Sequence, residues 1–136
     1  MRLYYPSWLT SKKKEIVDMV HLPTFEVPKW AFTLLNNLYE VERKLATSGD
    51  PGNATRNVLK MKDALAEQGL FYEDPMGEVF KETRTDLEAT ITGTGTENLV
   101  VVEVIKPVIR FGEAAFSRVV QRGIVLVESK VDLKNN

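Results

Sequence analysis

The sequence predicts an α+β fold in which N-terminal helices form a hairpin and a small, mainly antiparallel β domain follows. Three observations predict it. Apolar residues recur at helical spacing up to Gly69 and nowhere beyond it. After Gly69, prolines, glycines and β-branched residues replace that period, and short runs alternate or turn continuously apolar. The order is helices first and strands second, which argues for segregated layers rather than a wound parallel sheet. The units expected are an irregular segment with a short helix over 1–28, a helical hairpin over 29–69, a β domain over 70–130 and a frayed tail over 131–136.

Pro6, Pro23 and Pro28 punctuate the first segment. Ser11 can cap a short helix from Lys12 to His21, with Ile16, Val17 and Val20 on its apolar side. Trp8 and Tyr4 are candidate anchors for packing this segment back on the helices. Pro28 fits the first turn of the next helix. Ala31, Leu34, Leu35, Leu38, Val41 and Leu45 form its apolar stripe, which Trp30 and Phe32 widen. Gly49 can supply a left-handed cap. Asp50–Pro51 then reads as a new N-cap and first-turn proline, and the following helix runs to Gln68. Its seam is Ala54, Val58, Met61 and Leu65, and Gly69 closes it. The short connection predicts antiparallel neighbours.

Leu70–Phe71–Tyr72 reads as a short strand and Asp74–Pro75–Met76–Gly77 as a turn. Leu87, Ala89 and Ile91 alternate with Glu88 and Thr90, the pattern of a half-buried strand. Thr92–Thr96 is a loop. Val100–Ile105, Val108–Phe111 and Ile124–Glu128 are the remaining strands.

Composition narrows the chemistry. With no cysteine in 136 residues, disulfides, thiol catalysis and thiolate metal sites are excluded. A net charge of −1 gives no basic field for nucleic acid, and Lys12–Lys13–Lys14 is too short for a polybasic membrane anchor. Leu3–Tyr4–Tyr5–Pro6 does not make a signal-peptide core, and no apolar run approaches the roughly 20 residues of a membrane span, so a cytoplasmic protein is expected. His21, the single histidine, lies in no triad-like context, and no spaced cluster offers a metal site. Glu73, Asp74, Glu78, Glu82, Asp86 and Glu88 gather around one turn, where two of them can form an acid–base pair; a small enzyme using residues 73–88 is therefore one alternative. Gly93-x-Gly95 lacks the third glycine of a dinucleotide fingerprint and no helix follows it. The aromatic residues lack the basic interleaving of a base-stacking surface. A binding protein without catalytic residues or cofactor is the reading that remains.

Residues 65–80, LAEQGLFYEDPMGEVF, resemble the helix-to-sheet junction of GrpE, the nucleotide-exchange factor of DnaK-type chaperones. Phe80 stands at that family's Phe position, and Leu87–Glu88–Ala89 is similar to its His-x-Ala strand. Residues 101–127 resemble the end of the family's β unit: Val101, Val102 and Val104 fit the opening, and Arg118, Val119, Val125 and Val127 fit the ending in register. Leu34–Leu35–Asn36–Asn37–Leu38 is similar to its leucine-rich segment. The chain departs from the family at Lys81–Glu82, Leu87, Gln121 and Gly123, and Gly112–Phe116 lengthens the last hairpin. Residues 1–28, broken by prolines, replace a long N-terminal helix.

The resemblance implies a co-chaperone of protein folding and the stress response, with no enzymatic activity of its own. It would be a homodimer whose helices bundle through Leu34, Leu38, Val41, Leu45, Val58, Met61 and Leu65. Its β unit would bind the ATPase domain of a DnaK-type chaperone through Arg118, Val127 and Phe111. Arg118 would pair with a carboxylate, because its planar fork suits one, and Val127 would make an apolar contact beside it. The alternative within the family is an interaction module that has lost exchange activity.

Overall fold

The computed structural model describes residues 26–113 and 115–134. Two helices, α1 (Lys29–Ser48) and α2 (Ala54–Glu67), come first. Six strands follow: β1 (Leu70–Glu73), β2 (Leu87–Thr92), β3 (Leu99–Lys106), β4 (Val108–Phe111), β5 (Arg118–Gln121) and β6 (Gly123–Ser129). A one-turn helix, α3 (Lys130–Lys134), ends the described chain. The fold is α+β, as expected. The predicted helix Lys12–His21, the basic run, His21, Tyr4 and Trp8 lie outside the described residues.

Local chemistry explains the helix ends. Pro28 sits at the N-cap, extended at φ −67° and ψ 149°, one position earlier than predicted, and its carbonyl accepts the Ala31 N–H at 3.0 Å. Gly49, at φ 86°, ends α1 and donates its N–H to the Leu45 carbonyl. The start of α2 differs from the prediction by several residues. Pro51–Gly52–Asn53 forms a turn, and Asn53 takes the left-handed cap position at φ 57°. Asp50 still caps the helix, but from a distance: its carboxylate accepts the N–H groups of Ala54 at 2.6 Å and Thr55 at 2.8 Å. The bonds to Thr55 hold the Asp50 carboxyl below the usual carboxylate range, because they favour its charged form.

The strands form two three-stranded sheets, ordered β1-β4-β5 and β2-β6-β3. Three of the four pairings are antiparallel, and β2 with β6 is parallel. The two sheets share one long ribbon. β3 runs into β4 through Pro107 alone, and β5 runs into β6 through Arg122 alone. Pairing passes from Leu99↔Ser129 to Lys106↔Ile124 and resumes at Ile109↔Gln121, ending at Phe111↔Arg118. Proline cannot donate a ladder bond, so the ribbon bends there. β1 adds to one edge at the far end, and β2 to the opposite edge at the near end. β5 is a strand that sequence periodicity did not reveal, and α3 replaces the first part of the predicted frayed tail.

One core joins the layers. Leu35, Leu38, Tyr39, Val58 and Leu65 of the helices bury against Leu70, Leu87, Val101, Val104, Ile109, Val125 and Val127 of the sheets. Each fully buried aliphatic side chain contributes roughly 1.5–3 kcal/mol. Polar bonds fix how α1 sits on the ribbon. Asn36 and Gln121 exchange reciprocal amide bonds at 3.0 and 2.9 Å, and Gln121 also donates to the Pro107 carbonyl. About two turns further on, Arg43 donates to the Val104 carbonyl at 3.1 Å. α1 is thus tied to both halves of the bent ribbon.

α2 is tied to α1 and β1. Lys62 pairs with Glu42 at 3.0 Å and lies over the Tyr72 ring, 4.7 Å from its centroid. Tyr72 meets Tyr39 edge to face at 5.8 Å, and Tyr39 donates to Asp74 at 3.3 Å. Burial first, then the Asp74 charge, pushes the Tyr39 phenol up to about 12. Burial and the Glu42 carboxylate push Tyr72 further in the same direction, although its buried hydroxyl has no hydrogen-bond partner at bonding geometry. Both rings stay neutral at physiological pH. No helix among the described residues is long and apolar enough to cross a membrane.

Candidate interaction surface

The far end of the ribbon is where the sequence-predicted partner residues Phe111 and Arg118 come together. They face each other across the β4–β5 pair, and the Arg118 guanidinium lies 5.8 Å from the Phe111 ring centroid. At an exposed site such a stack stabilises by about 0.5–1 kcal/mol and holds the guanidinium in a preferred direction. Arg118 is exposed and Phe111 is half-buried against the core.

Beyond them, Gly112 and Ser117 approach closely. Gly112 has φ 126°, a conformation that L side chains rarely adopt, and a Cβ there would stand 3.0 Å from the Ser117 Cα. Its N–H donates to the Gly69 carbonyl at 2.8 Å, tying the hairpin end to the α2–β1 junction. The Phe116 N–H donates to the Glu113 carbonyl at 2.8 Å. Phe116 is 85 % exposed. Sequence reading marked Gly112–Phe116 as a lengthened hairpin and missed Phe116 itself. The available signal was an aromatic residue inside a glycine-led turn between two strands.

Val127 is elsewhere. It lies on β6, the middle strand of its sheet, paired with Ile91 on one side and Val101 on the other, and its exposure is 0 %. Its side chain is part of the core and not of the ribbon's surface. The predicted dimer residues divide in the same manner. Leu38, Val58 and Leu65 are buried in the chain's own core, and Leu45 packs partly against it. Leu34, Val41 and Met61 remain exposed, together with Trp30 at 59 %. Trp30, Leu34 and Val41 follow one another at helical spacing along α1.

The acidic residues form a second feature. Glu73, Glu78 and Asp86 line a cleft of about 100 Å³ with Arg84, Arg110, Pro75 and Val108. Every one of the three carboxylates is ion-paired. Arg84 makes two bonds to Asp86, at 2.8 and 3.0 Å, a third to Glu78 at 3.0 Å and a fourth to the Val79 carbonyl. Arg110 pairs with Glu73. The Arg84 bonds hold the Asp86 carboxyl below the usual carboxylate range, so it carries no proton to donate at neutral pH. Asp74 is turned away, accepting from Tyr39 and the Met76 N–H, while Glu82 and Glu88 are exposed. The Arg84 bonds hold residues 78–86 together, and the Arg110–Glu73 pair joins β4 to β1.

A pH dependence follows from the lowered Asp86 value. Its pairing stabilises the fold above the unfolded-state value near 3.9 and ceases to do so as pH falls through the lower folded-state value. The melting temperature of Arg84→Met is therefore expected to lie below that of the wild-type chain at pH 6, with the gap narrowing as the pH is taken towards 2. Thermal melts followed by circular dichroism at several pH values check this. A gap that is constant with pH would remove the Arg84–Asp86 pair as its cause.

No protein-family model matches the chain. Neither a curated protein nor a solved structure matches it.

Proposed function

We propose that this chain is a GrpE-like co-chaperone that binds the ATPase domain of a DnaK-type chaperone and promotes nucleotide exchange. The observation that supports it most is the far end of the bent ribbon, where Arg118, stacked on Phe111, is presented on a rigid support. That support is physical: α1 is bonded to both halves of the ribbon, and Gly112 is bonded to the α2–β1 junction. Exchange by this route needs no catalytic group. A module that binds the open ATPase cleft more tightly than the closed one shifts the population towards open, and nucleotide affinity falls by the same factor.

In this reading α1 and α2 form a helical hairpin. It pairs with a second copy through Leu34, Val41 and Met61, side chains that the chain's own core leaves exposed. The protein works in the cytoplasm. Sedimentation tests the dimer, and a monomer at high concentration would overturn it.

Release of a fluorescent nucleotide from a DnaK-type ATPase domain tests the exchange activity. The expected result is faster release that saturates with added protein, and a rate unchanged at saturation would sink the proposal. The burial of Val127 favours a second reading, an interaction module that binds without driving exchange. Binding to the ATPase domain with unaltered nucleotide release is its signature.

A further inference from the structure

We infer that β2 is a pairing edge for a second copy of this chain, joined antiparallel about a two-fold axis at Thr90, so that two β2-β6-β3 sheets become one continuous sheet. The inference is independent of the co-chaperone reading and of the helical pairing through α1 and α2.

β2 is an outer strand of its sheet. The Gly123 N–H donates to the Asp86 carbonyl at 2.9 Å, and Leu87 pairs with Gly123. In a parallel ladder this phase turns the N–H and C=O of Glu88 and Thr90 towards β6, and those of Ala89 and Ile91 outward. Among the described residues nothing bonds these outward groups. Natural edges are blunted by prolines, lysines or bulges. β2 has no proline or lysine, and it pairs with β6 from Leu87 to Thr92 without a bulge. The opposite edge of the sheet is covered: residues 77–80 bond to β3 at Leu99 and Val101, and Arg43 takes the Val104 carbonyl.

The strand's own pattern favours a second copy over an unrelated segment. Centred on Thr90, the register sets Ala89 opposite Ile91 of the second copy, and the two exchange both ladder bonds. Only outward groups without a partner among the described residues are used. A register centred on Ala89 would need the Leu87 carbonyl, on which the Arg122 guanidinium already sits at 2.7 Å. Glu88, the one charged side chain of β2, falls opposite Thr92 of the second copy, so like charges do not meet. Ile91 is 45 % exposed although it lies on the face that buries Leu87. Set against a small alanine, it gains cover from the second copy.

The chain has no cysteine, so single cysteines placed in the full chain report the contact. Thr90 would meet its counterpart in a non-hydrogen-bonded pair, with Cα atoms about 4.5 Å apart and within disulfide reach. Under mild oxidation Thr90→Cys is expected to form a covalent dimer, and Glu88→Cys alone is not. A mixture of Glu88→Cys and Thr92→Cys is expected to form the mixed dimer. Ile91→Pro, added to Thr90→Cys, is expected to slow cross-linking about tenfold or more, because both copies lose a ladder donor. The N–H it removes is not one that β6 uses, so the strand keeps its place, which circular dichroism checks. If Ile91→Pro unfolds, the cysteine pattern decides alone. If Thr90→Cys cross-links no faster than Glu88→Cys, the β2 pairing is overturned. A strand supplied by a different protein would give that same result with the purified chain, and it overturns the second copy as occupant. A dimer in sedimentation that Thr90→Cys does not trap overturns this inference while the helical pairing stands.

Discussion

Gly123→Val is expected to lower stability by about 1–3 kcal/mol, the usual cost of forcing methyl groups into a packed interior. Gly123 opens β6 immediately after the bend at Arg122, where β2 begins to pair. A Cβ at this position would stand 2.8 Å from the Leu87 Cδ2, 3.0 Å from the Val108 Cγ2 and 3.4 Å from the Lys106 carbonyl. The first two contacts are side-chain termini and the third is backbone, so alanine is expected to be absorbed better than valine. The crowding has a particular author in Leu87, a fully buried residue. Leu87→Ala alone should cost about 2–5 kcal/mol, through lost burial and the cavity left behind. Because the new valine fills part of that cavity, the double variant should be less destabilised than the sum, with a coupling of about 0.5–3 kcal/mol. Urea unfolding of the four proteins measures it. Strict additivity would place the crowding at Val108 and the Lys106 carbonyl and not beside Leu87.

That bend also shows how far the sequence could be read. Gly49 and Gly69 signalled the helix ends and both take positive φ, but Gly49, at ψ 164°, lies outside the left-handed helical region expected of its cap. Strands β3 and β4 announced themselves as apolar runs on either side of Pro107. Their continuity with β5 and β6 was not legible, because pairing is a long-range property that no local pattern encodes. β5 is four residues long and has no alternation to detect, and the parallel seating of β2 depends on the whole sheet. The start of α2 was misplaced because Asp50 caps across a turn, so the capping residue was right and its distance was not.

The candidate site was legible in part for the same reason. The family resemblance, and no local pattern, pointed to Arg118 and Phe111, which the fold sets opposite each other across the β4–β5 pair. The roles of Arg84, Asn36 and Gln121 come from partners distant in sequence or from a fork geometry that only coordinates reveal. The dimer stripe was read as a single face. The fold cuts it lengthwise, burying Leu38, Val58 and Leu65 and leaving Leu34, Val41 and Met61 outside.

Val127 separates folding from recognition. In β6, Ile124, Val125, Leu126 and Val127 are apolar on both faces, so period alone does not say which side points inward. The structure buries Gly123, Val125, Val127 and Ser129 and leaves the residues between them partly exposed. Val127→Thr keeps the shape of the side chain and adds a hydroxyl in the middle strand of a sheet. Burying that group without a ready partner is expected to cost about 1–3 kcal/mol. The loss should appear as a lower urea midpoint, while the folded fraction binds the ATPase domain with unchanged affinity. Arg118→Ala is expected to do the reverse, leaving the midpoint near that of the wild-type chain and weakening binding, because its guanidinium stacks on the surface and not in the core. The two variants thus form a crossed pair, each acting as the control for the other. If Val127→Thr weakened binding at constant stability, Val127 would have to reach the partner, which requires β6 to leave its place between β2 and β3.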